Sequence, residues 1–212
     1  MKGNMGFSKE WDKQYQDQKH LSVWPWSDMV VYVMRHYRDT IKNARVLEIG
    51  CGAGANIPFF KSLDVDYHAI EGSKAIVELL HNKYPEYKPT IVCGDFTQTI
   101  PFEGKFDLVL DRSSLTHNNT KNIIDCLGLI SNKLVERGPF IGIHWFSTQH
   151  SSYKLGEQAE DIYTRKNIQE GGFTDVGRVH FSDETHIRKL FGNHFTLEIL
   201  EHNLKEKYQP AN

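Results

Sequence analysis

Residues 46–54 read VLEIGCGAG, an apolar strand that runs into three glycines spaced as GxGxG. Glycines at such a turn permit positive φ angles and let a ligand approach the backbone, and the helix that follows presents free N–H groups. We therefore predict that a polar group binds against this backbone. A dinucleotide-binding loop would space its glycines as GxGxxG, so the spacing counts against NAD.

Short apolar runs alternate with amphipathic segments from residue 45 onwards, a pattern typical of a parallel sheet with helices on both faces. We predict strands at 45–49, 66–70, 90–93, 106–110, 139–146 and 196–200, with 176–181 also extended and a further strand left open near 204–208. Helices are predicted at 55–62, 73–84, 120–135 and 183–191. Residues 147–175 are predicted to form a long loop. The fold class is therefore α/β, a doubly wound, mostly parallel sheet.

The 212 residues are predicted to form a single domain, with a helical extension over 1–42 and a cofactor-binding core over 45–200. Trp11 and Tyr15 lie four residues apart, so they share one face of a predicted helix. Ser27 is predicted to cap a second helix. Both helices should pack on the main body.

Composition excludes several classes of protein. A net charge of -2 lacks the basic footprint of a nucleic-acid binder. No apolar run is long enough to cross a membrane, and the first residues lack the apolar stretch of a signal peptide, so we expect a cytoplasmic protein. Cys51, Cys93 and Cys126 fit neither a disulfide framework nor a zinc site and are expected to be reduced.

Acidic residues follow several of the predicted strands. Glu71 ends the second strand about twenty residues after the first glycine, where a ribose-binding acid is expected in such folds. Its charge would repel a 2′-phosphate, which disfavours NADP. Asp95 and Phe96 follow the third strand, and Asp111 lies at the end of the fourth. Ligands of open α/β sheets bind at this carboxyl edge.

Together these motifs resemble the class I S-adenosylmethionine-dependent methyltransferases, whose glycine motif is an acid, any residue and then GxGxG. The acid here is Glu48. The resemblance covers residues 45 to 200 and implies a Rossmann-like methyltransferase fold that binds S-adenosylmethionine and releases S-adenosylhomocysteine. The cofactor-binding residues that it implies are Glu48, with Gly50, Cys51, Gly52 and Gly54 beside the methionine part, Glu71 on the ribose, Asp95 and Phe96 on the adenine, and Asp111 near the ammonium.

Methyl transfer to a hydroxyl or a protonated amine needs a base, and histidine suits that role near pH 7. His117 follows the fourth strand and is the first candidate, with a bond to a backbone carbonyl or a helix cap as its alternative role. His144 in the fifth strand is the second candidate, and it should point away from Trp145, which is expected to pack in the core. His150, in the next loop, could replace either.

The candidate residues for acceptor contact or for a lid are Trp11, Tyr15, Arg112 and His150. The resemblance implies a lid, since N-terminal helices of small-molecule methyltransferases often fold over the cofactor, and core packing is the alternative for the two aromatic residues. Asp111, His144 and His150 form no compact ligand cluster, so no metal site is predicted.

Nucleic-acid amino methyltransferases of this class carry a Pro-Pro-aromatic motif after the fourth strand, whereas residues 111–114 read DRSS. We therefore predict transfer of a methyl group from S-adenosylmethionine to an oxygen or nitrogen of a small-molecule substrate, such as a sugar or a related metabolite. One alternative is a non-catalytic S-adenosylmethionine-binding regulatory protein. Another is a nucleotide-dependent oxidoreductase, which the glycine spacing disfavours.

Overall fold

The computed structural model describes residues 10–17 and 21–204. Residues 1–9 and 18–20 of the predicted extension, and most of the predicted strand near 204–208, lie outside the described residues. The helices are α1 (Glu10–Gln16), α2 (Ser27–His36), α3 (Ile57–Ser62), α4 (Lys74–Lys83), α5 (Thr120–Lys133) and α6 (Glu184–Phe191). The strands are β1 (Arg45–Ile49), β2 (Asp66–Glu71), β3 (Ile91–Cys93), β4 (Leu108–Arg112), β5 (Phe140–Ile143), β6 (Phe146–Ser147), β7 (Glu157–Gln158), β8 (Thr164–Lys166) and β9 (Val179–Ser182).

Five strands form one parallel sheet in the order β3-β2-β1-β4-β5. Strand β1 lies at its centre, and its last four residues are buried, as expected where helices cover both faces. Ile49 pairs with Ile70 on one side and with Asp111 on the other. Because all five strands run in the same direction, this register brings the glycine loop, Glu71 and Asp111 to one edge of the sheet.

Helices cover both faces of this sheet. On one face, α2, α3 and α4 contribute the buried side chains of Met29, Phe60 and Leu80 to one core cluster. On the other face, α5 and α6 contribute Ile123 and Leu190 to a second cluster. The predicted doubly wound α/β fold is confirmed.

The predicted strand 139–146 is interrupted, because β5 ends at Ile143 and β6 begins at Phe146. Between them, His144 has a φ of 57°, a left-handed conformation that a strand cannot continue through. Neither His144 nor Trp145 lies in a strand, so that part of the prediction was wrong, but the two side chains do point apart. His144 contacts Trp26 on the α2 side, and Trp145 packs against Phe191 of α6. Strand β6 leaves the main sheet and joins a second sheet in the order β6-β9-β8-β7, which we call the inserted sheet.

Three further predictions need correction. The segment 147–175 contains β7 and β8 as well as loop, and it folds into the second sheet. The predicted strand 196–200 is absent, and Ile199 and Leu200 are 43% and 41% exposed because no neighbouring strand covers them among the described residues. Ser27 is the first residue of α2, and the N-cap is Trp26, which makes no side-chain capping bond. Among the helices of the described residues, none is long and apolar enough to cross a membrane.

Candidate active site

Glu71, the last residue of β2, ties the glycine loop to the sheet through its carboxylate. Its Oε2 accepts from the backbone N–H of Gly52 at 2.9 Å, and its Oε1 accepts from that of Ser73 at 2.9 Å. Burial raises the pKa of this carboxyl group. The backbone of Gly72 also donates to this carboxylate. A carboxylate has about four lone-pair sites, so the three bonds leave acceptor capacity for a ligand hydroxyl.

The glycine loop is bare backbone in a conformation that side chains disfavour. Gly50, Gly52 and Gly54 have φ angles of 65°, 50° and 76°. A Cβ atom on Gly50 would lie 2.3 Å from the Cβ of Ser114, and one on Gly54 would lie 2.7 Å from side-chain carbons of α3 and α4. Gly50 and Gly54 therefore pack tightly against their neighbours. Among residues 10–17 and 21–204, the Tyr15 hydroxyl is the atom near the missing side chain of Gly52, at 3.4 Å.

Other predicted cofactor residues lie around this loop. Cys51 is 6% exposed, and burial raises the pKa of its thiol well above the usual range. Asp95 is half-buried and accepts from the backbone N–H of Thr97 at 2.9 Å and from its hydroxyl at 2.6 Å. Phe96 is buried, with a ring carbon 3.6 Å from where a Gly50 Cβ would stand. The ring of Phe96 thus lies in the core against the loop, and Asp95 precedes it in the chain.

Asp111 is fully buried and has several donors from the chain itself. Its Oδ2 accepts from the indole N–H of Trp145 at 2.7 Å, and its Oδ1 accepts from the backbone N–H of Ser114 at 3.0 Å and that of Leu115 at 3.1 Å. The Ser114 hydroxyl contacts the same oxygen. Burial nevertheless raises the pKa of Asp111 to about 6. Trp145 therefore has a polar contact in addition to its predicted core packing.

Glu48 lies below the glycine loop, where it is 3% exposed. Its Oε1 accepts from the side-chain amide of Asn56 at 2.8 Å, and its Oε2 accepts from the hydroxyl of Tyr67 at 2.6 Å. Despite these bonds, burial raises the pKa of Glu48 to about 7. Because a pKa this close to neutrality allows both protonation states, Glu48 can respond to a nearby charge.

His117 ends a 3₁₀ turn, Leu115–His117, that follows β4. Its Nδ1 lies 3.0 Å from the backbone carbonyl oxygen of Arg178. Since a carbonyl only accepts, Nδ1 carries the hydrogen and the lone pair of the neutral ring is on Nε2. The carbonyl bond considered as the alternative role is thus present, and it fixes the ring with Nε2 as its acceptor atom.

Helix α1 packs over this edge of the sheet. The ring of Trp11 meets His117 edge-on at 4.7 Å between centroids, and the Tyr15 hydroxyl approaches Gly52. Burial, and then the charge of Glu71, raise the pKa of Tyr15. Gln14 donates to the backbone carbonyl of Asp175 at 3.2 Å, which joins α1 to the inserted sheet. The helix therefore contacts the glycine loop and the candidate base together.

The remaining candidates, Arg112, His144 and His150, lie in two separate parts of the structure. Arg112 donates through Nε to Nδ1 of His144 at 3.1 Å, on the α2 side of the sheet. His150 is exposed and accepts from the backbone N–H of Ser152 at 3.1 Å. Its ring lies against Phe173 in the loop between β8 and β9, at 5.1 Å between centroids. The structure does not place His144 or His150 in contact with His117.

Sequence reasoning missed the partners that hold the predicted acids. Asn56 and Tyr67 orient Glu48, Ser73 orients Glu71, and Ser114 orients Asp111. Ser114 could have been found, because a serine three residues after a buried acid often bonds to it. Tyr67 gives no local signal, since its contact with Glu48 depends on packing between neighbouring strands.

A buried histidine pair joins the inserted sheet to α6. The hydroxyl of Thr164 donates to Asp161 at 2.9 Å, so it accepts from Nδ1 of His180, at 3.3 Å. The Nε2 of His180 then accepts from Nε2 of His186, at 3.1 Å. Burial and then the neighbouring histidine lower the pKa of His180 to about 3. Asp161, Asp183 and Lys189 are the charged groups that act on this pair.

From this histidine pair we predict that the protein loses stability in acid. Because the folded-state pKa of His180 lies below its ordinary value of about 6.5, its contribution to stability is complete above that pH and is lost as pH falls towards 3. We expect His180→Asn to be less stable than wild type at about pH 7.5, with the difference shrinking by about pH 5. Urea unfolding at both values measures this, with exposed His202→Gln as control. A difference that stays constant would contradict the prediction.

Comparison with known protein families finds a methyltransferase domain in this chain. Residues 46–138 match the family model for a methyltransferase domain. The matched residues include the whole glycine loop, Glu71, Asp111 and His117, and the family predicted from the sequence motifs is confirmed. No curated protein sequence matches the chain.

Solved structures share the fold of this methyltransferase domain at low identity. A methyltransferase from Clostridium acetobutylicum ATCC 824 is 19% identical with a TM-score of 0.57, over 87% of this chain and 84% of that one. An amino pentose methyltransferase from Micromonospora echinaspora is 15% identical with a TM-score of 0.57, over 89% of each chain. Magnesium protoporphyrin IX methyltransferase from Synechocystis PCC 6803 is 16% identical with a TM-score of 0.53, over 88% of this chain and 71% of that one. These likenesses show the fold.

Proposed function

We propose that this protein transfers the methyl group of S-adenosylmethionine to an oxygen or nitrogen of a small-molecule acceptor. The observation that supports this most is the meeting, at one sheet edge, of the bare glycine loop, the oriented carboxylate of Glu71 and the oriented ring of His117. The Synechocystis and Micromonospora proteins were both crystallised with S-adenosylmethionine. The Micromonospora protein acts on an amino pentose, which supports a sugar-like acceptor.

The residues of this edge fit the cofactor by their chemistry. Gly50, Gly52 and Gly54 hold positive φ values that favour glycine, and with Cys51 they would border the methionine part. Glu71 keeps acceptor capacity for a ribose hydroxyl. The remaining proposed contacts are those of Asp95 with the adenine amino group, Phe96 with the adenine ring, and Glu48 and Asp111 with the ammonium.

The chemistry that S-adenosylmethionine supplies is a methyl carbon on a sulfonium: a bond forms from the acceptor atom to this carbon, and the carbon–sulfur electron pair goes to sulfur. His117 takes the acceptor proton on Nε2, the nitrogen that its bond to the Arg178 carbonyl leaves basic. Trp11 and Tyr15 on α1 limit the access of water to this edge. Alignment and exclusion of water account for much of the rate in such a displacement.

Calorimetry with S-adenosylmethionine and S-adenosylhomocysteine tests the cofactor, and folded protein that binds neither would overturn the proposal. Incubation with a metabolite panel, followed by mass spectrometry for a gain of one methylene, tests the transfer. Binding of both nucleosides without any methylated product across the panel would favour the non-catalytic alternative. The panel should pair each alcohol with its amine analogue, which separates oxygen from nitrogen acceptors.

The role of His117 has a sharp test in His117→Asn. Asparagine can keep the donation to the Arg178 carbonyl but lacks the basic nitrogen. We expect kcat on a hydroxyl acceptor to fall by about 100-fold, with the Kd for S-adenosylhomocysteine nearly unchanged. The exposed His202→Gln is the control. Unchanged turnover would remove His117 from the mechanism.

A further inference from the structure

Arg112, the last residue of β4, carries a guanidinium group that is fixed on two sides. Its central carbon lies over the ring of Trp26, 3.5 Å from the ring centroid. Its Nε donates to Nδ1 of His144 at 3.1 Å. Both contacts restrict a side chain that is otherwise among the most flexible.

His144 is itself held by its surroundings. Because Nδ1 accepts from Arg112, the ring hydrogen of neutral His144 is on Nε2, which donates to the carboxylate of Asp28 at the start of α2. The backbone carbonyl of His144 accepts from the Ser113 hydroxyl at 2.8 Å. Burial raises the pKa of Asp28, but the hydrogen bond from His144 and those from the backbone outweigh it, and the net shift is downward. Asp28, His144 and Arg112 thus form a connected row.

The outer end of Arg112 has no such partners. Within residues 10–17 and 21–204, its terminal Nη atoms make no hydrogen bond to another residue. The side chain is half-buried, and burial lowers the pKa of the guanidinium. A cation that is held rigidly, partly desolvated and left with unused donors is arranged to receive an anion. The planar fork of an arginine matches a carboxylate in particular.

The position of Arg112 relates this fork to the glycine loop. Asp111, the residue before it, pairs with Ile49, the residue before Gly50. The carboxylates of Glu48 and Asp111 act on the guanidinium from the sheet below. A positive group beside buried acids is complementary to a zwitterion, with its carboxylate on the arginine and its ammonium towards the acids.

We propose that Arg112 binds the carboxylate of an amino-acid group, and that Trp26, His144 and Asp28 are positioning residues for its guanidinium. The amino-acid group is either the methionine part of the cofactor or part of an acidic acceptor, and this assignment rests on the proposed function. It gives His144 a task different from that of a base.

The experiment compares two nucleosides that differ in the amino-acid group. S-adenosylhomocysteine carries it, and methylthioadenosine lacks it. For Arg112→Gln we expect the Kd for S-adenosylhomocysteine to rise about 10- to 100-fold, the range of a charge-assisted hydrogen bond, with the Kd for methylthioadenosine unchanged. Arg35→Gln, at an exposed arginine of α2, is the matched control and should change neither value.

The positioning residues are tested through the same selectivity. His144→Gly removes the ring without strain, because glycine accepts the φ of 57° at this position. We expect this variant to raise the Kd for S-adenosylhomocysteine several-fold and to leave the Kd for methylthioadenosine unchanged. His144→Asn, which tolerates this φ and restores an acceptor for Arg112, should recover part of the loss. If His144→Gly raised both Kd values by the same factor, His144 would have a merely structural role.

The outcomes separate the two sources of the carboxylate. If Arg112→Gln changes neither Kd but removes methylation of carboxylic acids and spares their amides, the acceptor is the source. If Arg112→Gln weakens the binding of both nucleosides equally, or changes neither binding nor turnover, the assignment is overturned. The proposed function would still stand. Wild-type protein that binds neither nucleoside overturns the proposed function and this assignment with it.

Discussion

Gly50→Ala is expected to destabilise the protein by about 2–5 kcal/mol and to abolish binding of S-adenosylhomocysteine. An alanine would have to adopt a φ of 65°, which costs about 1–2 kcal/mol. Its Cβ would also lie 2.3 Å from the Cβ and 2.7 Å from the Oγ of Ser114. Since real Cβ atoms do not approach so closely, the loop or the turn after β4 must move.

Ser114 cannot move alone, because hydrogen bonds hold it in place. Its hydroxyl donates to the backbone carbonyl of Ile49 at 2.7 Å, and its backbone N–H donates to Asp111 at 3.0 Å. Displacing Ser114 therefore breaks the contacts that hold a fully buried carboxylate, which is among the costlier changes in a protein core. We expect lower stability and a lost site together.

Urea unfolding and calorimetry measure the two effects, and two other glycines provide matched controls. In the described part of the chain, the atom that Gly52→Ala would meet is the Tyr15 hydroxyl, at 3.4 Å, and the φ of Gly52 is 50°. We therefore expect the free energy of unfolding to fall by about 1–2 kcal/mol, with a larger effect on the binding of S-adenosylhomocysteine. Gly172→Ala has nothing within 4 Å of the added atom and should change neither quantity. A Gly50→Ala protein as stable as Gly172→Ala would show that the loop is not constrained as the structure indicates.

The parallel sheet and its glycine loop could be predicted because their signals are local. An apolar run that enters GxGxG and leaves into an amphipathic segment specifies strand, turn and helix within residues 45–62. The inserted sheet could not be predicted in the same way. Strands β6 and β7 have two residues each, too few for an alternating pattern, and their pairing depends on partners distant in the chain.

Distance along the chain also limited the prediction of the site. The acids were visible as strand-end residues, but the chemistry of each depends on what surrounds it. His144 was a candidate base by its residue type, yet it contacts Asp28, 116 residues away, and its backbone leaves the strand. The strand predicted at 196–200 has suitable residues but lacks a neighbouring strand in the described part of the chain. Residue type identified candidates, and tertiary packing assigned their roles.

Glu48→Gln is expected to make the protein more stable in alkaline solution and less able to bind the cofactor. The pKa of Glu48 is raised to about 7, against about 4.3 for a free glutamate. A raised folded-state pKa contributes stability that is complete below the unfolded value and is lost as pH rises through the folded one. Above neutrality the buried carboxylate therefore costs stability.

Glutamine has the shape of glutamate and avoids that cost. Its amide oxygen can accept from Asn56 as the carboxylate does, although the Tyr67 hydroxyl loses an acceptor for its hydrogen. We expect the free energy of unfolding of the variant, relative to wild type, to rise by about 1–3 kcal/mol between about pH 5 and about pH 8. Urea unfolding at both pH values measures this, with Glu78→Gln on the exposed side of α4 as control. A constant difference would mean that Glu48 does not titrate as a buried acid.

The negative charge of Glu48 lowers stability in the free protein, but it would attract the ammonium of a bound amino-acid group. Burial desolvates Glu48, and the charge of nearby Asp111 raises its pKa further, after the bonds from Tyr67 and Asn56 lower it. If the ammonium of the amino-acid group lies by these acids, as we propose, its charge favours the ionised form, and binding releases a proton near neutral pH. Wild-type affinity for S-adenosylhomocysteine should then increase as pH rises through 7, and that increase should be smaller in Glu48→Gln. Calorimetry in two buffers of different ionisation enthalpy counts the proton directly. An equal pH dependence in both proteins would place the ammonium elsewhere and would leave Glu48 a structural acid.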